Sequence, residues 1–231
     1  MSRGYVAPPA HCTARGAARP EKLPTNPKLA AAFLLLSVAL AAGCGAARPS
    51  KYYQLTIPND LAADPPSDPY PVSLLLGTMM ASHLYREDHI VYSSGNESMG
   101  AYEYQRWAEP PTEMIEEVLL RELRASGHYR GVNFLRSGAR GDYVISGRLY
   151  DFKEVSGSPL LARVTFELTM RDNKTASTVW NHYYSHDEPV GGKDVPAVVA
   201  ALNRNVQRGV NEFRSSLNEY FSAHPVKPSS Q

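Results

Sequence analysis

The feature that most constrains this chain is an apolar run near its beginning that ends in a cysteine. Residues 29–42 form the run, which Lys28 precedes and only Ser37 interrupts, and Gly43 and Cys44 follow it directly. A charged residue, an apolar stretch and small residues at its end are the layout of a secretory signal. At about 14 residues the run is shorter than the roughly 20 that a helix needs to cross a bilayer. We therefore expect the fold to form from the residues after it, with an uncleaved anchor helix as the alternative.

The end of this run, residues 40–44 (LAAGC), resembles a bacterial lipobox. In that motif the signal is cut before the cysteine, whose thiol carries a diacylglyceryl group, and Gly43 and Cys44 supply the small residue and the sulfur. The motif prefers Leu where this chain has Ala41. Cleavage would also remove Cys12, which leaves no second cysteine for a disulfide. We expect signal cleavage between Gly43 and Cys44 and lipidation of Cys44; the alternative is a free or buried thiol beside an ordinary cleavage site.

These features predict the organisation of the whole chain. Residues 1–43 are interpreted as a signal peptide with an over-long N-terminal extension, which is excluded from fold reasoning. Residues 44–50 are a lipidated tether, residues 51–223 a single domain, and residues 224–231 a disordered tail.

The charge of the mature part argues against one class of function. Five of the 24 basic residues and one of the 23 acidic residues precede Cys44, so the remainder carries a net charge of −3. Proteins that bind nucleic acid normally present a basic patch or stripe. The sequence therefore predicts no nucleic-acid partner.

Strand-like and helical segments alternate along the domain. The strand-like segments alternate in polarity or are rich in β-branched and aromatic residues, and they comprise residues 51–57, 72–79, 89–92 and 101–107, followed by 132–135, 143–155, 161–172 and 178–185. A helix is expected after each group. The pattern predicts an α+β fold with an antiparallel sheet and two long helices packed on one face, and its order suggests two related halves.

Helix boundaries are also readable. Pro110 and Pro111 suit the first turn of a helix, and Gly127 suits its end. Asp194 begins a second helix of about 28 residues, or roughly 42 Å. One apolar stripe runs along it, formed by Val198, Val199, Leu202, Val206, Val210, Phe213, Leu217, Tyr220 and Phe221.

No residue pattern indicates catalysis, a metal or a cofactor. His182, His186 and Glu188 could bind zinc by residue type, but positions four apart on a strand lie about 13 Å apart. We expect these histidines to face solvent on a strand. No serine-centred elbow is present, and no cysteine is left for nucleophilic chemistry.

Tyrosine is frequent, with 14 residues in the chain. Strand propensity explains most of them. Tyr also combines an apolar ring with a polar tip and is enriched at interfaces. Tyr102 and Tyr104 are therefore a candidate partner surface on a strand edge.

Three segments carry a family resemblance: YYQLTIP, then SLLLGTMMASHLYREDHIVYSSG, then YEYQRWAEPPTEMIEEVLLRELRASGHYRGV. In this order after a lipobox they are similar to the ABC-type transport auxiliary lipoproteins, partners of paraquat-inducible and Mce-type lipid transport systems. The most specific piece is Trp107–Ala108–Glu109–Pro110, with Pro111 where the family has Leu.

The resemblance implies a non-catalytic lipoprotein without a cofactor, held to the membrane through Cys44, with an Mce-type periplasmic subunit as partner. Gly45 follows the cysteine where an acidic residue would favour retention in the inner membrane, so the family implies the periplasmic face of the outer membrane. A periplasmic carrier of lipid or another apolar ligand is the alternative. The sequence leaves open the transported lipid, the direction of transport and whether the protein forms a homo-oligomer.

Overall fold

The structure, a computed structural model, describes residues 26, 28, 48–56, 70–95 and 98–226. The chain divides into residues 1–47 and residues 48–231, and every element below belongs to the second unit. The predicted signal, its cleavage site at Gly43 and the lipidation site at Cys44 lie outside the described residues, as do parts of the tether and the tail.

Eight strands and two long helices follow one another in the predicted order of strands, helix, strands, helix. The strands are β1 (Lys51–Tyr53), β2 (Tyr70–Ala81), β3 (His89–Ser94), β4 (Ser98–Trp107), β5 (Tyr129–Phe134), β6 (Tyr143–Ser156), β7 (Leu161–Asp172) and β8 (Thr178–Pro189), and the helices are α1 (Pro111–Ala125) and α2 (Val195–Ala223). The α+β class is thus confirmed.

The strands form one mixed sheet, so the expectation of an antiparallel sheet is wrong in part. β6 is the central strand: β7 pairs along one of its edges, and β2 and β3 lie one after the other along the opposite edge. β3–β4, β6–β7 and β7–β8 are antiparallel, because short turns reverse the chain between them. β1–β4, β2–β5, β2–β6 and β3–β6 are parallel, because long connections join these strands.

The residues that were predicted to begin and end the helices do so in the structure. Pro110 is the residue before α1 and Pro111 its first residue, where a missing backbone N–H costs nothing. Gly127 follows α1 with a φ of 63°, a left-handed conformation that glycine adopts without strain. The Asp194 carboxylate accepts a hydrogen bond of 3.2 Å from the backbone N–H of Ala197 and caps α2.

One apolar core joins the sheet and both helices. Phe166, Leu168 and Met170 alternate inward on β7, each at most 1% exposed. Gly209 lets α2 approach the sheet, since a Cβ there would lie 2.8 Å from the ring of Tyr184. The helices also contact each other through an ion pair of 3.3 Å between Arg214 and Glu122.

β1 is shorter than predicted. It ends at Tyr53, whereas the predicted strand continued to residue 57. Leu55 is buried in the core, and the N–H of Thr56 donates to the side chain of Asn203 on α2. These contacts with the helix take the chain out of the sheet.

Candidate interaction surface

Tyr102 and Tyr104 lie on β4, beside the segment that enters the domain. Together with Glu103, Lys51 and Arg48 they line a groove of about 410 Å³. β1 runs parallel to β4 with Lys51 opposite Gln105. The chain therefore covers part of the β4 edge itself, and the candidate surface is a groove rather than a bare strand edge.

Tyr102 is held in place by a buried carboxylate. Its hydroxyl donates to Oε2 of Glu154 at 2.8 Å, and Ser156 donates to Oε1 of the same residue at 3.0 Å. The ring of Tyr102 lies 5.1 Å from that of Tyr92. Burial, followed by the hydrogen bond to Glu154, raises the pKa of Tyr102. This side chain fixes the groove wall and offers only part of its ring to a partner.

Tyr104 and Tyr52 are more available for contact. Tyr52 on β1 is 64% exposed. Tyr104 is half-buried, and a hydrogen bond to Glu103 raises its pKa. With the charges of Arg48, Lys51 and Glu103 beside it in the groove, the Tyr104 ring forms the amphipathic kind of surface that protein partners use.

The four residues of the family motif connect several elements. Trp107 is 1% exposed, and its ring lies 5.3 Å from that of Phe152. The N–H of Ala108 donates to the carbonyl of Tyr53 at 2.6 Å. Glu109 is exposed, and Pro110 leads into α1. The motif thus joins β1, β4 and α1, with Trp107 as its buried anchor.

A larger groove beside this motif was missed at the level of sequence. It has a volume of about 680 Å³, and its lining includes Glu109, Glu113 and Glu117 with Arg121. Glu113, Glu117 and Arg121 recur every four residues on α1, which places their side chains on one face of the helix, and Glu109 precedes it. That spacing was visible in the sequence, but the approach of residues 54–56 that completes the groove was not.

A third groove, also missed, lies on the face of β6–β8. Its volume is about 530 Å³, and Tyr150 and Tyr183 contribute exposed rings with centroids 6.3 Å apart. Arg163 donates two hydrogen bonds of 2.7 Å to Asp187 within it. This strong bidentate pair lowers the pKa of Asp187.

The histidines of β8 face solvent only in part, the His186 side chain being 38% exposed. His182 and His186 share with buried Tyr184 the side of β8 that α2 covers, and both are half-buried. Burial lowers the pKa of His182. His186 contacts Glu188 at 3.6 Å, but within the described part of the chain no three His, Cys, Asp or Glu side chains are placed to hold a metal ion.

The described cavity between the sheet and α1 is too small to hold a lipid. It has a volume of about 10 Å³; its lining includes Leu76, Met79, Leu119, Ile145 and Leu168. Ligand sites in proteins usually measure about 300–1,000 Å³. None of the helices described is long and apolar enough to cross a membrane.

Comparisons with known proteins agree with this architecture. The family model described as "ABC-type transport auxiliary lipoprotein component" matches residues 53–212. A solved structure from Xanthomonas campestris is 20% identical with a TM-score of 0.64, covering 75% of this chain and 98% of its own. A second, of an uncharacterized protein, is 12% identical with a TM-score of 0.56, covering 73% and 99%. Both likenesses concern the fold, and the comparison with curated proteins gives no match.

Proposed function

Since the chain belongs to the family of ABC-type transport auxiliary lipoproteins, we propose that it is a non-catalytic adaptor of an ABC lipid transport complex. In this proposal Cys44 is lipidated, and the domain faces the periplasm from the outer membrane. Its partner is an Mce-type periplasmic subunit. The single observation that carries the proposal is the family match over residues 53–212, which spans strands β2 to β8, α1 and most of α2.

The described surface supports binding as the mode of action. The Tyr104 groove, defined as the 410 Å³ groove that Tyr102, Tyr104, Glu103, Lys51 and Arg48 line, combines aromatic rings with unlike charges. Aromatic residues commonly supply most of the energy at protein interfaces, and charges at the rim select the partner. We propose the Tyr104 groove as the site that contacts the Mce-type subunit.

Copurification with charge-reversal variants tests the proposal. The full-length lipoprotein is expressed with an Mce-type periplasmic subunit, and recovery of the subunit is measured for wild type and for Lys51→Glu and Glu103→Lys. We expect wild type to recover the subunit and both variants to recover several-fold less, since each reversal places a like charge against the partner.

Lys174→Glu is the matched control. Lys174 is also exposed but lies in the β7–β8 turn, away from β4. We expect this variant to bind as wild type does, and circular dichroism checks that every variant is folded. Failure of the wild type to recover the subunit would refute the adaptor role, while equal losses in all three variants would refute only the assignment of the groove.

A further inference from the structure

The strand register shows which end of the sheet the membrane tether enters. Lys51 pairs with Gln105, and the chain before it runs back along β4, so that Arg48 lines the same groove as Tyr102. Three residues separate Cys44 from Arg48. The covalent chain between their Cα atoms spans at most about 14 Å.

The same register identifies the other parts of this end. Ser94 at the end of β3 pairs with Ser98 at the start of β4 and with Ser156 at the end of β6. Leu161 at the start of β7 pairs with Val155 of β6. The tether therefore enters at the end of the sheet that carries the β3–β4 and β6–β7 turns, which we call the proximal end.

The opposite, distal end is far from the tether. β6 has 14 residues, and a strand of that length extends for roughly 46 Å. The distal end carries Tyr143 at the start of β6 and the turn between β7 and β8. A tether of about 14 Å can hold the proximal end at a bilayer, but the distal end reaches it only if the whole domain lies flat.

The turns at the two ends differ in charge. The β6–β7 turn, residues 156–160, is uncharged, and Met99 near the start of β4, at the same end, is 42% exposed. The proximal end also carries the exposed charges of Lys193 and Asp194, because Pro189 at the end of β8 pairs with Leu161 and the connection to α2 follows. The β7–β8 turn region holds Arg171, Asp172 and Lys174. An uncharged turn meets lipid headgroups without the cost of removing its own charges from water, so the β6–β7 turn is the part of this end that is suited to contact them.

We infer that the proximal end rests on the lipid headgroups and that the distal end points away from the membrane. The inference rests on the proposed lipidation of Cys44 and adds the orientation of the domain. In this orientation β6 extends away from the bilayer, from Ser156 near the headgroups to Tyr143 at the distal end. The Tyr104 groove lies near the membrane, at the side of the domain.

Fluorescence quenching at two matched turn positions tests the orientation. Cleavage removes Cys12 and lipidation occupies Cys44, so Ser158→Cys or Thr175→Cys supplies a unique thiol for a fluorescent label. Both residues are exposed and lie in turns, one at each end of the sheet. The mature lipoprotein is reconstituted in vesicles of phosphatidylethanolamine and phosphatidylglycerol that contain a headgroup-attached spin-label quencher.

We expect several-fold stronger quenching at position 158 than at position 175. Vesicle flotation is measured in the same samples and reports the anchor separately. Flotation with equal quenching at both positions, or with stronger quenching at 175, would overturn the orientation and leave the anchor standing. A protein that does not float would overturn both.

Discussion

At the scale of single residues, buried polar side chains fix how α2 docks on the sheet. Asn205 is fully buried, and its amide donates hydrogen bonds of 2.8 Å to the carbonyls of Ala162 and His186. It also accepts a hydrogen bond of 2.6 Å from the hydroxyl of Tyr184. Burying an amide is tolerated when its polar atoms find partners. The contact therefore joins the helix to both β7 and β8 at one defined register.

His182 makes the same interface sensitive to pH. Burial lowers its pKa below 6.5, although Glu212 acts in the opposite direction. Above the pKa of the unfolded chain, the imidazole is neutral in both states and burial costs little. As the pH falls below that value the unfolded chain binds a proton more readily than the folded one, so the free energy of unfolding decreases.

We therefore expect His182→Gln to lose less stability than wild type between about pH 7.5 and pH 5.5. Urea unfolding of both proteins at each pH measures this loss of stability. Subtracting the loss of the variant from that of wild type cancels the contribution of the other titrating groups. His83→Gln is the control, since the His83 side chain is 77% exposed. If wild type and His182→Gln lose equal stability, burial of this imidazole does not control the pH dependence.

At the scale of elements, α2 contributes the longest face of the core. Phe213 is fully buried, and its ring lies 5.6 Å from that of Trp180 in an edge-to-face arrangement. Trp180 in turn donates from Nε1 to the hydroxyl of Ser216 at 3.3 Å. Removing the Phe213 ring would leave a cavity between the helix and β8 as well as losing buried apolar area.

We expect Phe213→Ala to lower the free energy of unfolding by about 3–5 kcal/mol. Asn211, two residues earlier, is exposed. Asn211→Ala should change stability by no more than about 0.5 kcal/mol. Denaturant unfolding measures both, and similar small changes for the two variants would show that this face of α2 is not part of the core.

The elements also show how far the sequence could predict the fold. Apolar spacing and caps predicted both helices, and the bounds of β7 agree with the predicted residues 161–172. Strand pairing was harder to predict from the sequence. The parallel β1–β4 and β2–β5 pairs join segments whose local sequence patterns carry no information on which strand is their partner. The short β1 has the same cause, because Asn203 and Gln207, which bond to Thr56, lie far along the chain.

The candidate surface was predictable to a similar degree. Residue type selected Tyr102 and Tyr104, and the structure places both at one groove. Their unequal environments were not predictable, because the carboxylate that binds Tyr102 comes from Glu154, 52 residues later. The side of β8 that carries His182 and His186 also depends on where α2 docks, which a single strand cannot reveal.

At the scale of the whole molecule, the anchor and the domain have separate requirements. The described domain begins at Arg48 with its own core, and the predicted lipidation site precedes it. A change at Cys44 should therefore alter where the protein resides without altering how residues 48–226 fold. This separation makes the anchor testable without the risk that the variant simply unfolds.

We expect Cys44→Ala to yield a soluble or an uncleaved periplasmic protein without acyl chains, because the variant lacks the sulfur that would carry them. One acyl chain binds a bilayer only weakly and two or more hold firmly, so the wild type should partition into detergent on phase separation and a cleaved variant into water. Cys12→Ala is the matched control: it removes the other cysteine in the chain, and we expect it to partition like wild type. Mass spectrometry of the mature wild-type protein should place its first residue at Cys44 with the mass of the lipid added. A wild-type protein that partitions into water, or a wild-type mature terminus at a residue other than Cys44, would refute the lipoprotein assignment of this cysteine.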